Sequence, residues 1–150
     1  LEWRKKEGVI MDVRRGVRMV YLDAYTPMVV IRELVRELGD EVSGMVVEAH
    51  KAFCLRHIRE EFLPDGAVEG PGRDALYRDA LDAVIIRGQG NPVEYGIEDG
   101  VLRVTMENSF CEHLLAGYLA ALYELAEGRE ARAGWEYLDL STIRYSVSPA

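Results

Sequence analysis

Residues 107–149 read ENSFCEHLLAGYLAALYELAEGREARAGWEYLDLSTIRYSVSP, and the fold turns on this stretch. Ser109 is followed three positions later by Glu112, the spacing of a capping box, which predicts a helix over 110–127. Gly128 ends it, because glycine readily takes the left-handed conformation that closes a helix. Two strand-like runs follow, ARAGWEYLDL (131–140) and STIRYSVS (141–148). Just upstream, VEYGI (93–97) and VLRVTME (101–107) flank Glu98-Asp99-Gly100, an Asp-Gly turn between two strands. Strands joined by such short turns pair antiparallel.

Working outward, VIMDV (9–13) and VRMVYLD (17–23) predict a second hairpin with Gly16 at its tight position. Thr26 can cap a helix and Pro27 suits its first turn. That helix stops at Gly39. Asp40 is read as the cap of the next one, which runs from Glu41 to about Phe62. LPDGAVEGPG (63–72) holds two prolines and three glycines and reads as a loop, placed to serve as a lid. RDALYRDALDAVIIRG (73–88) predicts a third helix, and GQGNP (88–92) breaks the chain before the strands. The order is ββ-ααα-ββ-α-ββ. The fold class is α+β, an antiparallel sheet packed with about four helices in a single domain over 1–150.

The chain has 150 residues, 49% hydrophobic, with a net charge of −8. An acidic chain repels phosphate backbones, which argues against nucleic acid as partner. Its local basic residues (Arg4, Lys5, Lys6, Arg14, Arg15 and Arg18) fall near the N-terminal hairpin and read as a solvated face. No apolar run approaches the roughly 18 residues of a membrane span. LEWRKKEG is not followed by the apolar segment of a signal peptide, so a cytoplasmic location is expected. Two cysteines, Cys54 and Cys111, are too few for a disulfide scaffold and are expected as free thiols.

The octapeptide HKAFCLRH (50–57) concentrates rare residues. At about 100° per residue, His50, Cys54, His57 and Glu61 share one narrow stripe between Val46 and Phe53 on one side and Val47 and Ile58 on the other. The stripe is expected to point inward, where imidazoles and carboxylates need partners. Three readings stay open: polar lining of a core or cavity, a metal site using His50, Cys54 and His57, or a redox role for Cys54 with Cys111. Cys111 faces inward in the first turn of its helix, where the helix dipole lowers a thiol's pKa. On regular helical geometry His113 faces solvent, which argues against a joint Cys111–His113 metal clamp. Tyr118 and Trp135 read as core or pocket lining. Ser109 is a cap rather than a nucleophile. There is no GxSxG, no P-loop and no GxGxxG after a strand, so nothing points to a particular enzyme.

Glu107-Asn108-Ser109, Ala116-Gly117-Tyr118-Leu119-Ala120 and Gly128-Arg129, set between a hairpin and two closing strands, resemble the 4-vinyl-reductase-type, or hydrocarbon-binding, domain. The segment ELVRELGDEVSGMVVEAHKAF (33–53) is also similar, so the likeness spans about residues 27–149. The resemblance implies the mixed fold of the nitric-oxide-sensing and Golgi-transport ligand-binding superfamily, often as a homodimer. It implies a sensor for a small hydrophobic molecule, with haem among the cofactors of distant relatives. A dimeric interaction module related to vesicle-tethering subunits is the alternative. Many family members hold zinc with a cysteine before the last helix and cysteines in the closing strands. Cys111 matches the first, while Tyr137 and Tyr145 stand at the later positions, so the family's zinc site is expected to be absent, one thiol being too few to hold the ion. The stripe and the inward-facing residues together give the expected ligand-binding set, His50, Cys54, His57, Tyr118, Cys111 and Trp135, with zinc or haem as the expected cofactor classes and His50, Cys54 and His57 as the metal ligands.

Overall fold

The computed structural model describes residues 1–150 apart from 8, 14–15, 20–22, 24 and 64–70, with the side chains of 17, 19 and 71 also left aside. The expected loop 63–72 thus falls mostly outside the described residues, and with it the lid. The described chain runs β1 (Glu2–Arg4), β2 (Val9–Asp12), β3 (Val17–Met19), α1 (Tyr25–Leu38), α2 (Glu41–Phe62), α3 (Pro71–Ile86), β4 (Asn91–Glu98), β5 (Val101–Glu107), α4 (Glu112–Glu127), β6 (Ala131–Tyr137) and β7 (Thr142–Pro149). This is the α+β order read from the sequence, with β1 added at the start. EWR is too short to show a period, and it is a strand because it pairs antiparallel with β2, Trp3 opposite Ile10.

The larger sheet has the order β4-β5-β7-β6, every neighbour antiparallel. Asp99 and Gly100 both have positive φ, 52° and 74°, as the tight turn between twisted strands requires. Alternation sets which face is buried. Leu102, Val104 and Met106 of β5 lie opposite Val147, Tyr145 and Ile143 of β7, and all six are buried. Arg103 and Ser146 point away.

Helix α4 packs between β6 and β7 on one side and α2 and α3 on the other. Twelve of its 16 residues are buried, Glu112 and His113 among them, and its polar arc of Glu112, Glu124 and Glu127 is covered by ion pairs with Arg32, Lys51 and Arg73. Gly117 marks its closest approach to α2. A Cβ there would meet the Val47 carbonyl oxygen at 2.7 Å and the Lys51 nitrogen at 3.0 Å. Gly128 closes α4 with φ 69°, as its sequence position suggested.

The helix starts differ from the sequence expectation. Tyr25 already belongs to α1 and its amide bonds the Asp23 carboxylate. Asp23 therefore serves the role assigned to Thr26. Asp40 does precede α2, but its backbone is helical and its side chain makes no cap bond. The amides of Val42 and Ser43 bond the carbonyls of Gly39 and Asp40 instead. α2 then runs over the 22 residues expected.

Candidate functional site

The octapeptide lies along the α2–α4 seam. Val47, Cys54 and Ile58 form the buried line of α2, so the stripe is not centred on that face. Phe53, expected inside, is 51% exposed. Its ring stacks between those of His50 and His57, at centroid distances of 6.0 and 5.6 Å. The tight packing at Gly117 rotates α2 so that Val47 meets α4 and the two histidines sit at the margin, half-buried.

His50 is fixed by a hydrogen bond to Leu114. Nδ1 lies 2.7 Å from that carbonyl oxygen, which only accepts, so Nδ1 carries the proton. In a neutral ring Nε2 is then an acceptor. Burial holds the His50 pKa below its ordinary 6.5, which keeps the ring neutral. Cys54 Sγ is 3.7 Å from Nε2 and can donate weakly to it. Burial pushes the Cys54 thiol up to about 12. The pair is therefore a thiol beside a neutral imidazole, which is poorly suited to nucleophilic chemistry.

Further along, α2 meets the end of α3. His57 Nε2 is 3.2 Å from Glu61, and Arg87 donates to both Glu61 oxygens. Tyr118 lies inside this group, buried as expected. It donates to the Ala80 carbonyl at 2.9 Å, with Arg87, Glu61 and Cys54 close enough to act on its phenol, whose pKa burial raises. Together these side chains make a polar seam against the apolar core of Ile58, Leu81 and Val84. Arg87 had no signal in the sequence, because only the turn after α3 brings it back to α2.

A second polar group surrounds the start of α4, and here three expectations are corrected. The helix begins at Glu112, with Cys111 as an extended N-cap (φ −164°, ψ 115°). Ser109 lies outside the helix and bonds the Tyr145 hydroxyl at 3.0 Å, so it is no cap. His113 is only 6% exposed, because α4 has no solvent side at this end. Its position opposite Leu115 on the helix is as the wheel gives it, but Trp135 of β6 covers that side of α4. Nor does the dipole prevail at Cys111. Burial raises its thiol pKa, against the smaller pull of the Leu114 and His113 amides.

Glu112, 5% exposed at its side chain, pairs with Arg32 reaching in from α1, at 3.1 Å. Arg32 also donates to the Tyr137 hydroxyl at 2.7 Å. His113 sets its ring against Trp135, edge-on with centroids 4.8 Å apart. Its Nδ1 is, among the described residues, the buried side-chain nitrogen left without a hydrogen-bond partner. Such an orphan costs about 1–3 kcal/mol. The expected set thus divides. His50, Cys54, His57 and Tyr118 line the seam, while Cys111 and Trp135 belong to the α4 N-terminus. Leu114 joins the two, its carbonyl toward His50 and its amide toward Cys111.

The zinc implied by the resemblance needs thiols in the closing strands. Tyr145 is engaged with Ser109 and Tyr137 with Arg32, so that donor set does not fit this chain. Nor do His50, Cys54 and His57 gather their ligand atoms into one group. Among the described residues the group of three that does so is Cys111, Glu112 and His113. A shallow groove bounded by Glu94, Tyr95, Arg103 and Arg144 lies on the opposite face of the sheet from both groups.

No protein-family model matches the chain, and no curated protein matches it significantly. No helix among the described residues is long and apolar enough to cross a membrane. Among solved structures, the chain is similar to the phenol-responsive sensory domain of the transcription activator PoxR, determined with phenol. The identity is 18% and the TM-score 0.65, over 99% of this chain and 84% of that one. At this identity the likeness establishes the fold. This chain has the architecture of that sensory domain.

Proposed function

We propose that this chain is a small-molecule sensory domain of the 4-vinyl-reductase type, and that its ligand is a small apolar molecule bearing a hydroxyl or similar polar group. The observation that carries the reading is the α2–α3–α4 seam. His50, Cys54, Tyr118 and the Glu61–Arg87 pair are gathered there against apolar core side chains. A few convergent polar groups in an apolar setting orient a ligand and give it specificity. His50 Nε2 is the acceptor for a ligand O–H, since Nδ1 is committed to Leu114. The phenol response of the structural neighbour is consistent with such chemistry.

Native mass spectrometry and thermal-shift screening against phenols, fatty acids, haem and tetrapyrroles test it. A phenol-class ligand should raise the melting temperature. His50→Gln should weaken binding about tenfold or more, the equivalent of about 1.4 kcal/mol. A screen in which no compound binds removes the reading.

A dimeric interaction module is the second reading, and α1 favours it. Val29, Val30, Leu34 and Leu38 are each at least 41% exposed on this helix. A contiguous apolar surface of this kind marks an interaction site. Sedimentation should show a dimer that Leu34→Glu converts to monomer.

A further inference from the structure

We propose that Cys111, Glu112 and His113 form a binding site for a zinc-class divalent metal at the start of α4. The site is independent of the ligand-binding seam. It also differs from the arrangement the resemblance implies, because two of its donors come from the helix start rather than from the closing strands.

Five observations carry this. The sulfur, a carboxylate oxygen and an imidazole nitrogen of these residues lie within 4.8 Å of one another. All three residues are buried, at 0%, 4% and 6% exposure. His113 Nδ1 has no hydrogen-bond partner. Glu112 Oε1 is 3.8 Å from it, too far for a hydrogen bond and ample for a shared ion. The Trp135 ring fixes the imidazole plane.

Cys111 can join the group because it is extended while Glu112 is already helical. Glu112 and His113 leave the first turn about 100° apart, and their side chains bend toward one another, to 3.8 Å. Thiolate, carboxylate and imidazole are donors that zinc accepts, and three protein ligands leave a fourth position for water or another group. The charges balance. A divalent ion is neutralised by one thiolate and one carboxylate, and the Cys111 proton passes to solvent as the metal–sulfur bond forms. Arg32 is the opposing element. Its guanidinium holds Glu112 through Oε1, so it competes with the ion for the same carboxylate.

The experiment is a titration of the full-length chain, stripped of metal by chelator, with Co(II) and then with Zn(II) in competition. Cobalt should produce the near-ultraviolet thiolate charge-transfer band and the visible bands of a four-coordinate site, and zinc should displace it. Cys111→Ser should abolish the charge-transfer band. His113→Gln should weaken affinity by more than about 100-fold, beyond the 10–100-fold expected of a residue that only orients a ligand. Arg32→Met should tighten binding by freeing Glu112. Circular dichroism establishes that each variant is folded, and Cys54→Ser, with its thiol elsewhere, should leave the band intact. If Cys111→Ser fails to fold, the His113→Gln and Arg32→Met shifts decide the matter in its place. Absence of cobalt and zinc binding by the parent chain overturns the proposal. So does a band that survives Cys111→Ser or vanishes in Cys54→Ser.

Discussion

At the scale of single residues, the close approach of α2 and α4 depends on the missing side chain of Gly117. A Cβ would press on the Val47 oxygen, the Lys51 nitrogen and the His50 Cβ at 2.7, 3.0 and 3.1 Å. Two of these are backbone atoms in a helix and cannot swing aside. Gly117→Ala should therefore destabilise the fold by about 1–3 kcal/mol, despite alanine's better helix propensity. Urea denaturation would measure it, and an unchanged midpoint would mean that the seam is loose. The histidines add a pH dependence. Burial lowers the pKa of both His50 and His113 from the ordinary 6.5. As pH falls the unfolded chain takes up these protons first, so stability is full above about 6.5 and declines below it. The urea midpoint should fall between about pH 7 and pH 5, above the range of ordinary carboxylates. His50→Gln keeps a donor for Leu114 but cannot titrate, so it should flatten part of that slope. An identical slope would show that His50 is equally basic in both states.

At the scale of the element, the start of α4 distinguishes two accounts of Ser109. A capping serine would interact with the helix backbone. The structure instead pairs its hydroxyl with that of Tyr145, across from the core. Tyr145 is fully buried, so Ser109→Ala strands a phenol hydroxyl at about 1–3 kcal/mol. Tyr145→Phe should recover most of that loss, and the double-mutant cycle should show a coupling of about 1 kcal/mol. A cap would show no coupling to Tyr145. This element also shows what could be read in advance. The strands flanking Asp99-Gly100, the glycine stop of α4 and the extent of α2 were legible because each depends on local chemistry or period. The register of the α4 start was not. It depends on Ser109 reaching Tyr145, 36 positions away, and the burial of His113 depends on Trp135 of β6 covering that side of α4. Arg32 and Arg87 were illegible for the same reason, since their partners Glu112 and Glu61 lie 80 and 26 positions away. The octapeptide was recognised as unusual, but a helical wheel cannot say which edge of an apolar face packs closest. That was set by Gly117 on another helix.

At the scale of the whole molecule, the architecture has one centre. α4 is enclosed by β6 and β7 on one side and α2 and α3 on the other, and both polar groups touch its first turn through Leu114. The small sheet of β1, β2 and β3 stands apart from this centre. Among the described residues its contacts are chiefly within itself, and Leu1, Trp3 and Val13 are more than half exposed. A three-stranded sheet with little buried on its faces adds little to global stability. The core of the chain should therefore fold without it. A chain beginning at Asp23 retains the carboxylate that bonds the Tyr25 amide at the head of α1. It should unfold in one cooperative transition, with a melting temperature within about 2–4 °C of the full chain, corresponding to roughly 1 kcal/mol for a chain of this length. The His50–Leu114 and Arg32–Glu112 contacts lie wholly within the remaining chain, so phenol-class binding and cobalt binding should both persist. If the shortened chain loses cooperative unfolding, the small sheet supports α1 and α2, and the two polar groups are held by the whole chain rather than by the layers around α4.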